Sequence, residues 1–226
     1  MTKSLSETIL KAKKDQNSLV NDFFNEELNL ITDPIIRSFV ESVLIKATPF
    51  WRSPASLAPE MHPPDEYDEL GLCLHTKRVV RVAALLISTY DCSQEDFNCL
   101  VAAALLHDIT KALSKDRDED DDEEPVVFHD AMHPYTVDNF VNWCRTEDSL
   151  TADESQPNTL LIPEEQLFLI LRLIRCSHGP WSPIPETIPS SSLEKILHMA
   201  DLVASTIHRI IDGQEVRESR WITEQK

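Results

Sequence analysis

The sequence predicts an all-α helical bundle, and three observations carry that expectation. Apolar residues recur at helical spacing along most of the 226-residue chain. No β-hairpin pattern of alternating residues around a tight-turn dipeptide stands out. Helix starts are marked instead by capping residues and prolines, at Asp33-Pro34, Ser93, Pro134 and Pro163.

Taken in order, residues 5–31 read as one or two helices with Ile9, Leu19, Phe23, Phe24, Leu28 and Ile31 as the apolar stripe. Asp33 caps a helix running to about Lys46. Residues 49–67 hold five of the 14 prolines and read as a long loop. A helix follows over about 68–90. Ser93-Gln-Glu-Asp96 is of capping-box type and opens a strongly apolar helix ending near His107. The run Asp116 to Glu124 has eight acidic residues in nine and reads as a solvated loop. Helices are expected again from His133 to about Arg145, from Pro163 to His178, and over 192–211. The expected organisation is N-terminal helices and a Pro-rich loop (1–67), a bundle (68–212) and a tail (213–226).

The charge balance narrows the function. There are 39 acidic against 21 basic residues, a formal charge of −18. Such a chain repels phosphate polymers and anionic lipid, so nonspecific nucleic-acid binding is not expected. A small anionic substrate at a metal remains allowed, because the ion sets the local charge. The five cysteines form no C-x-x-C pair and sit mostly in apolar helical patterns, which suits a reducing compartment. No stretch approaches 18 consecutive apolar residues, and the N-terminus lacks a signal-type apolar run, so a cytoplasmic protein without a membrane span is expected.

Chemistry-bearing residues stand beside core residues on five consecutive helices: His75, the pair His107-Asp108, His133, His178 and Asp201. A lone core histidine is ordinary. A carboxylate in the setting Met199-Ala200-Asp201-Leu202 is not, since burying it requires a cation or strong donors. Adjacent residues at a helix end, such as His107 and Asp108, can both approach one ion. Mixed nitrogen and oxygen donors suit Mn, Fe, Co, Ni or Zn better than Ca. Gly179-Pro180 ends the helix behind His178, so that this ring stands in the last turn.

The order His75, His107-Asp108, Asp201 resembles the HD-domain superfamily of metal-dependent phosphohydrolases. The string HDITK is similar to the family's HDIxK, and HMADLVAS to its last helix. The resemblance covers about residues 70–210 and implies an HD-domain helical bundle with an additional N-terminal helical segment. It implies that His75, His107, Asp108 and Asp201 bind one divalent ion, and that His133 and His178 hold a second, as in the dinuclear branch of dinucleoside-tetraphosphate hydrolases. The Gly-Tyr-Pro element of cyclic-di-nucleotide phosphodiesterases is missing, and Thr110 replaces a usually small residue.

Around this set, Asp108 and Lys111 are the candidate catalytic residues. Arg78, Lys111, Arg172, Arg175 and Trp181 are candidates for substrate contact. His129 is an alternative to His133, His198 a candidate outer-sphere group, and His62 and His208 read as ordinary. The expected function is metal-dependent hydrolysis of a small phosphorylated metabolite, with a nucleotide implied by the resemblance. A diiron oxygenase on the same scaffold and a noncatalytic ligand-binding module remain open.

Overall fold

The computed structural model describes residues 16–57, 61–114, 127–129, 132–151 and 162–211. Within them α1 spans Gln16–Leu28, with a kink at Phe24 (φ −105°, ψ 15°). Helix α2 spans Pro34–Lys46, and the Asp33 carboxylate accepts from the amides of Ile35 and Ile36. Helix α3 spans Gly71–Ile87 and α4 spans Gln94–Leu106, the latter opened by the reciprocal Ser93–Asp96 box. Helices α5 (His133–Thr151), α6 (Glu164–Arg175) and α7 (Ser192–Ile211) complete the bundle.

Helix α4 is the central post. Every residue from Asn98 to Leu106 is buried, which needs neighbours on all sides. Helices α2, α3, α6 and α7 pack around it, and the most extensive helix pair is α3 on α7. Helices α1 and α2 share this core: Phe24, Phe39 and Val43 bury with Leu72, Leu100 and Leu197 in one apolar cluster. Phe23, Phe24, Phe50 and Trp51 meet there mostly edge to face, and the Trp51 indole donates to Leu44 O at 2.9 Å. Each such side chain contributes roughly 1.5–3 kcal/mol on burial. Cys73, Cys99, Cys144 and Cys176 are buried free thiols, and burial pushes Cys99 up to about 12 and Cys176 to about 11.

Some boundaries differ from the sequence expectation. Helix α5 passes Arg145 and continues to Thr151, since the next proline is Pro157. A short antiparallel ladder, β1 (Ala112–Ser114) with β2 (Val127–His129), stands where no strand was expected; Ala112 faces His129. Three residues per strand give no usable alternation, and an acidic run separates them. That run, like residues 1–15 and 213–226, lies outside the described residues. Among the described residues no helix is long and apolar enough to cross a membrane.

The Pro-rich loop is tied to the start of α3. Ala55 N donates to Glu66 O (2.9 Å) and Leu72 N to Ser53 O (3.0 Å). Leu70 takes a left-handed backbone (φ 68°), and a Cβ on Gly71 would overlap the Glu66 carbonyl. The approach therefore requires glycine.

At the other end of the bundle Glu194 caps α7. Its carboxylate accepts from the amides of Ser190 (2.6 Å) and Ser191 (3.0 Å) and from Arg172 Nε (2.8 Å). Burial opposes ionisation, but Arg172 and the amides outweigh it and hold the carboxyl at about 2. The resulting stability is complete above the ordinary value of 4.5 and is lost as pH falls toward about 2. Urea unfolding at neutral and acid pH should show a smaller acid-induced loss in Glu194→Gln than in the wild type.

Candidate metal centre

His75 belongs to the buried stripe of α3 formed by Leu72, Thr76, Val79, Val80, Ala83 and Ile87. Helix α7 crosses this stripe and delivers Asp201, whose Oδ1 lies 3.1 Å from His75 Nε2. Both groups are thus placed by the α3–α7 contact.

Helix α4 delivers His107 and Asp108 as it ends. The chain tightens into turns, with Ile109 N on Leu106 O and Lys111 N on Asp108 O, so neighbouring side chains converge. His107 Nδ1–H donates to Ala104 O at 2.9 Å, which leaves the lone pair on Nε2. That nitrogen lies 3.6 Å from Asp108 Oδ2 and 3.9 Å from Asp201 Oδ1, and it has no hydrogen-bond partner although fully buried. Asp108 is 3% exposed; its Oδ2 meets Lys111 Nζ at 3.0 Å and its Oδ1 meets His133 Nε2 at 2.7 Å.

His133 stands at the first turn of α5, and its ring lies 4.9 Å from that of His178. Thr110 fastens it, donating from Oγ1 to His133 O at 2.8 Å. The Thr110 hydroxyl thus ties this turn to the start of α5. Helix α6 stops at Arg175, three residues earlier than expected, and Cys176 to Gly179 follow in tight turns. Gly179 has φ +64°, and a Cβ there would overlap the His198 ring. His198 Nδ1–H donates to Ser177 O at 2.9 Å, clamping the turn onto α7.

The electrostatics follow from two carboxylates among imidazoles. Burial alone would depress His75, but Asp201, Glu66 and Asp108 outweigh it and raise the ring to about 9. Burial depresses His107, and burial with the neighbouring His133 lowers His178 to about 4, so both rings are neutral at pH 7. Burial opposes ionisation of Asp108 and Asp201 as well. His107, Lys111 and His133 nevertheless hold Asp108 well below the usual range, and His75 with His107 hold Asp201 low.

A divalent transition ion fits this donor set. Two ionised carboxylates, Asp108 buried and Asp201 half-buried, face one another's histidines, and His107 Nε2 offers an unused lone pair into the space between them. The ligand atoms of His75, His107 and Asp108 all lie within 4.8 Å of one another. Residues 74–206, more than half of the chain, match the HD domain.

The chain belongs to the HD-domain family. No curated protein and no solved structure gives a significant match. HD-domain proteins are mostly metal-dependent hydrolases.

The HD fold brings His75, His107, Asp108, Lys111, His133 and Asp201 together, with His178 against His133. The arginines are ion-paired: Arg172 with Glu194, while also donating to Glu186 O, Arg175 with Asp138, and Arg78 with Asp65 and Glu66. The side chains of Trp181, His129 and His208 are outside the described set.

Sequence reasoning missed two groups. His62 reads as ordinary and Glu66 as part of a loop, yet both are buried beside His75. His62 Nδ1 lies 2.8 Å from Glu66 Oε2, and the His62 and His75 rings are 4.7 Å apart. His62, Glu66 and His75 form a second set of buried donors within 4.8 Å. The one available signal was the four-residue spacing of His62 and Glu66, hidden among prolines.

Gly179→Ala should lose about 1–2 kcal/mol from the left-handed backbone alone, with the His198 overlap adding to it. Denaturant unfolding measures the loss.

Proposed function

We propose that this HD protein is a metal-dependent phosphohydrolase that cleaves a phosphoester or phosphoanhydride bond of a small phosphorylated metabolite, most naturally a nucleotide. The observation that carries the reading is the buried, unpartnered His107 Nε2 facing Asp108 and Asp201 beside His75. His75, His107, Asp108 and Asp201 would hold one divalent ion (Mn, Fe, Co, Ni or Zn), and Asp108 with His133 and His178 a second. When bound, such an ion polarises a phosphoryl oxygen and supplies a water acidic enough to ionise near neutral pH.

The chain's own residues prepare that chemistry. The Ala104 carbonyl holds the proton of His107 on Nδ1, fixing the tautomer that can ligate. Asp108 turns one oxygen toward His133 and the other toward Lys111 and the first cluster, the disposition of a carboxylate shared between two sites. Lys111, partly exposed at 17%, is the cation placed to meet an incoming phosphate as a point charge. Arg78, Arg172 and Arg175 are paired with carboxylates other than Asp108 and Asp201, whereas Lys111 is paired with Asp108 itself, so the arginines rank behind Lys111; Trp181 is a candidate wall for a base or sugar. The nucleotide preference rests on the resemblance to dinuclear HD hydrolases, and the formal charge of −18 favours a small ligand over a phosphate polymer.

Chromatographic product analysis tests the reading. With Mn²⁺ the protein should release phosphate or a nucleotide from one member of a panel of nucleoside mono-, di- and triphosphates, dinucleoside polyphosphates and cyclic nucleotides. Asp108→Ala should lower kcat more than about 100-fold, beyond the 10–100-fold typical of groups behind the ligands. Lys111→Ala should mainly raise KM, about tenfold, as expected for one charge-assisted contact. Oxygen uptake with bound iron and no phosphate release would instead favour the oxygenase.

Metal binding should also displace a proton. His75 in the metal-free protein stays protonated up to about 9, and ligation through Nε2 requires that proton to leave. Affinity should therefore rise with pH toward about 9. Calorimetry at pH 7.5 in buffers of different ionisation enthalpy should report close to one proton released from His75.

A further inference from the structure

His75 presents its two ring nitrogens to different neighbours. Nε2 faces Asp201 at 3.1 Å and Asp108 at 3.9 Å. Nδ1 points away from them toward Glu66 Oε2, 3.6 Å distant, and this fully buried nitrogen has no hydrogen-bond partner. Hydrogen-bond length is reached by a shift of about 0.6 Å.

Glu66 has no exposed surface, and its position is set from several directions. Its amide donates to Pro63 O and its carbonyl accepts from Ala55 N, both at 2.9 Å. Arg78 grips Oε1 while also holding Asp65 Oδ2 at 2.6 Å, and His62 lies 2.8 Å from Oε2. The single Arg78 guanidinium serves two carboxylates, Asp65 and Glu66, so it holds Glu66 in place without fully offsetting its charge. What remains is an anion facing the orphaned nitrogen of His75.

We infer that Glu66, held by Arg78 and His62, is a positioning residue that keeps a proton on Nδ1 of His75 and thereby aims the Nε2 lone pair at the Asp108–Asp201 cluster. The inference rests on the metal-binding reading above. It assigns a task to a segment that precedes the HD match at residue 74, so the centre is completed from outside the family's own boundaries. Carboxylates behind ligating histidines typically change metal affinity by 10–100-fold when removed.

Two measurements on the full-length chain decide it. Long-range ¹H–¹⁵N spectra of the zinc-loaded wild type, with His75 assigned through His75→Gln, should show Nδ1 protonated and Nε2 bound to the ion. An unprotonated Nδ1, whether bare or bound to a cation, overturns the inference. Zinc competition against a chromophoric chelator should show Glu66→Gln weakened about 10–100-fold with its unfolding midpoint retained, and Glu66→Asp in between. Unchanged affinity in a folded Glu66→Gln overturns this inference alone, provided that Asp108→Asn abolishes binding. A wild type that binds no zinc overturns both readings. Should Glu66→Gln fail to fold, the wild-type spectrum decides by itself.

Discussion

The withdrawal of the buried Asp108 and the half-buried Asp201 into imidazole reach is the constraint on which the rest of this structure depends. Two carboxylates in a helical core repel one another and lose their hydration, at a cost of several kcal/mol each unless compensated. Compensation here is assembled from four chain segments: His75 from α3, His107 and Lys111 from the end of α4, His133 from α5, and the turn after α6 through His178. The bundle is arranged so that helix ends and helix middles meet at that point. The buried, all-round apolar α4 is what allows it, because only a central helix can deliver its terminus to the middle of its neighbours.

Much of this was legible in the sequence. Asp33-Pro34 and the Ser93–Asp96 box fixed helix starts because capping is local chemistry, readable from three or four residues. The six residues His75, His107, Asp108, His133, His178 and Asp201 stood out because each stands beside apolar core residues within or at the end of a helical pattern. Glu66 and His62 did not, because a loop has no period against which a misplaced charge can be noticed. Their burial comes from a tertiary event, the docking of the Pro-rich loop on α3 through Ser53, Ala55 and Gly71. The ion pairs of the arginines were hidden for a related reason. Residue type marks them as anion binders, but the acidic partners that engage them, Glu194, Asp138 and Asp65, lie on other segments.

The hydroxyl of Thr110 shows how small such departures can be. On sequence grounds it replaces a small residue with no evident effect. In the fold it joins the turn after His107-Asp108 to the first residue of α5, so two donor-bearing segments that are separate in the chain become one rigid corner.

Helix α7 has a wider consequence. It carries Asp201 at one end of the cluster and, three residues earlier, His198, which grips the turn that bears His178. The helix therefore works as a common ruler for the two clusters: a slide along its axis moves the Asp201 carboxylate and the turn that bears His178 by the same amount. Spacing between the two clusters is preserved under thermal motion, while drift away from α3 is felt by both at once. The small buried residues Ala200 and Ala204, which let α7 lie close in the core, then bear on reactivity without any reactive atom of their own. Mutational tolerance along this helix should be as narrow at those alanines as at the residues that carry the chemistry.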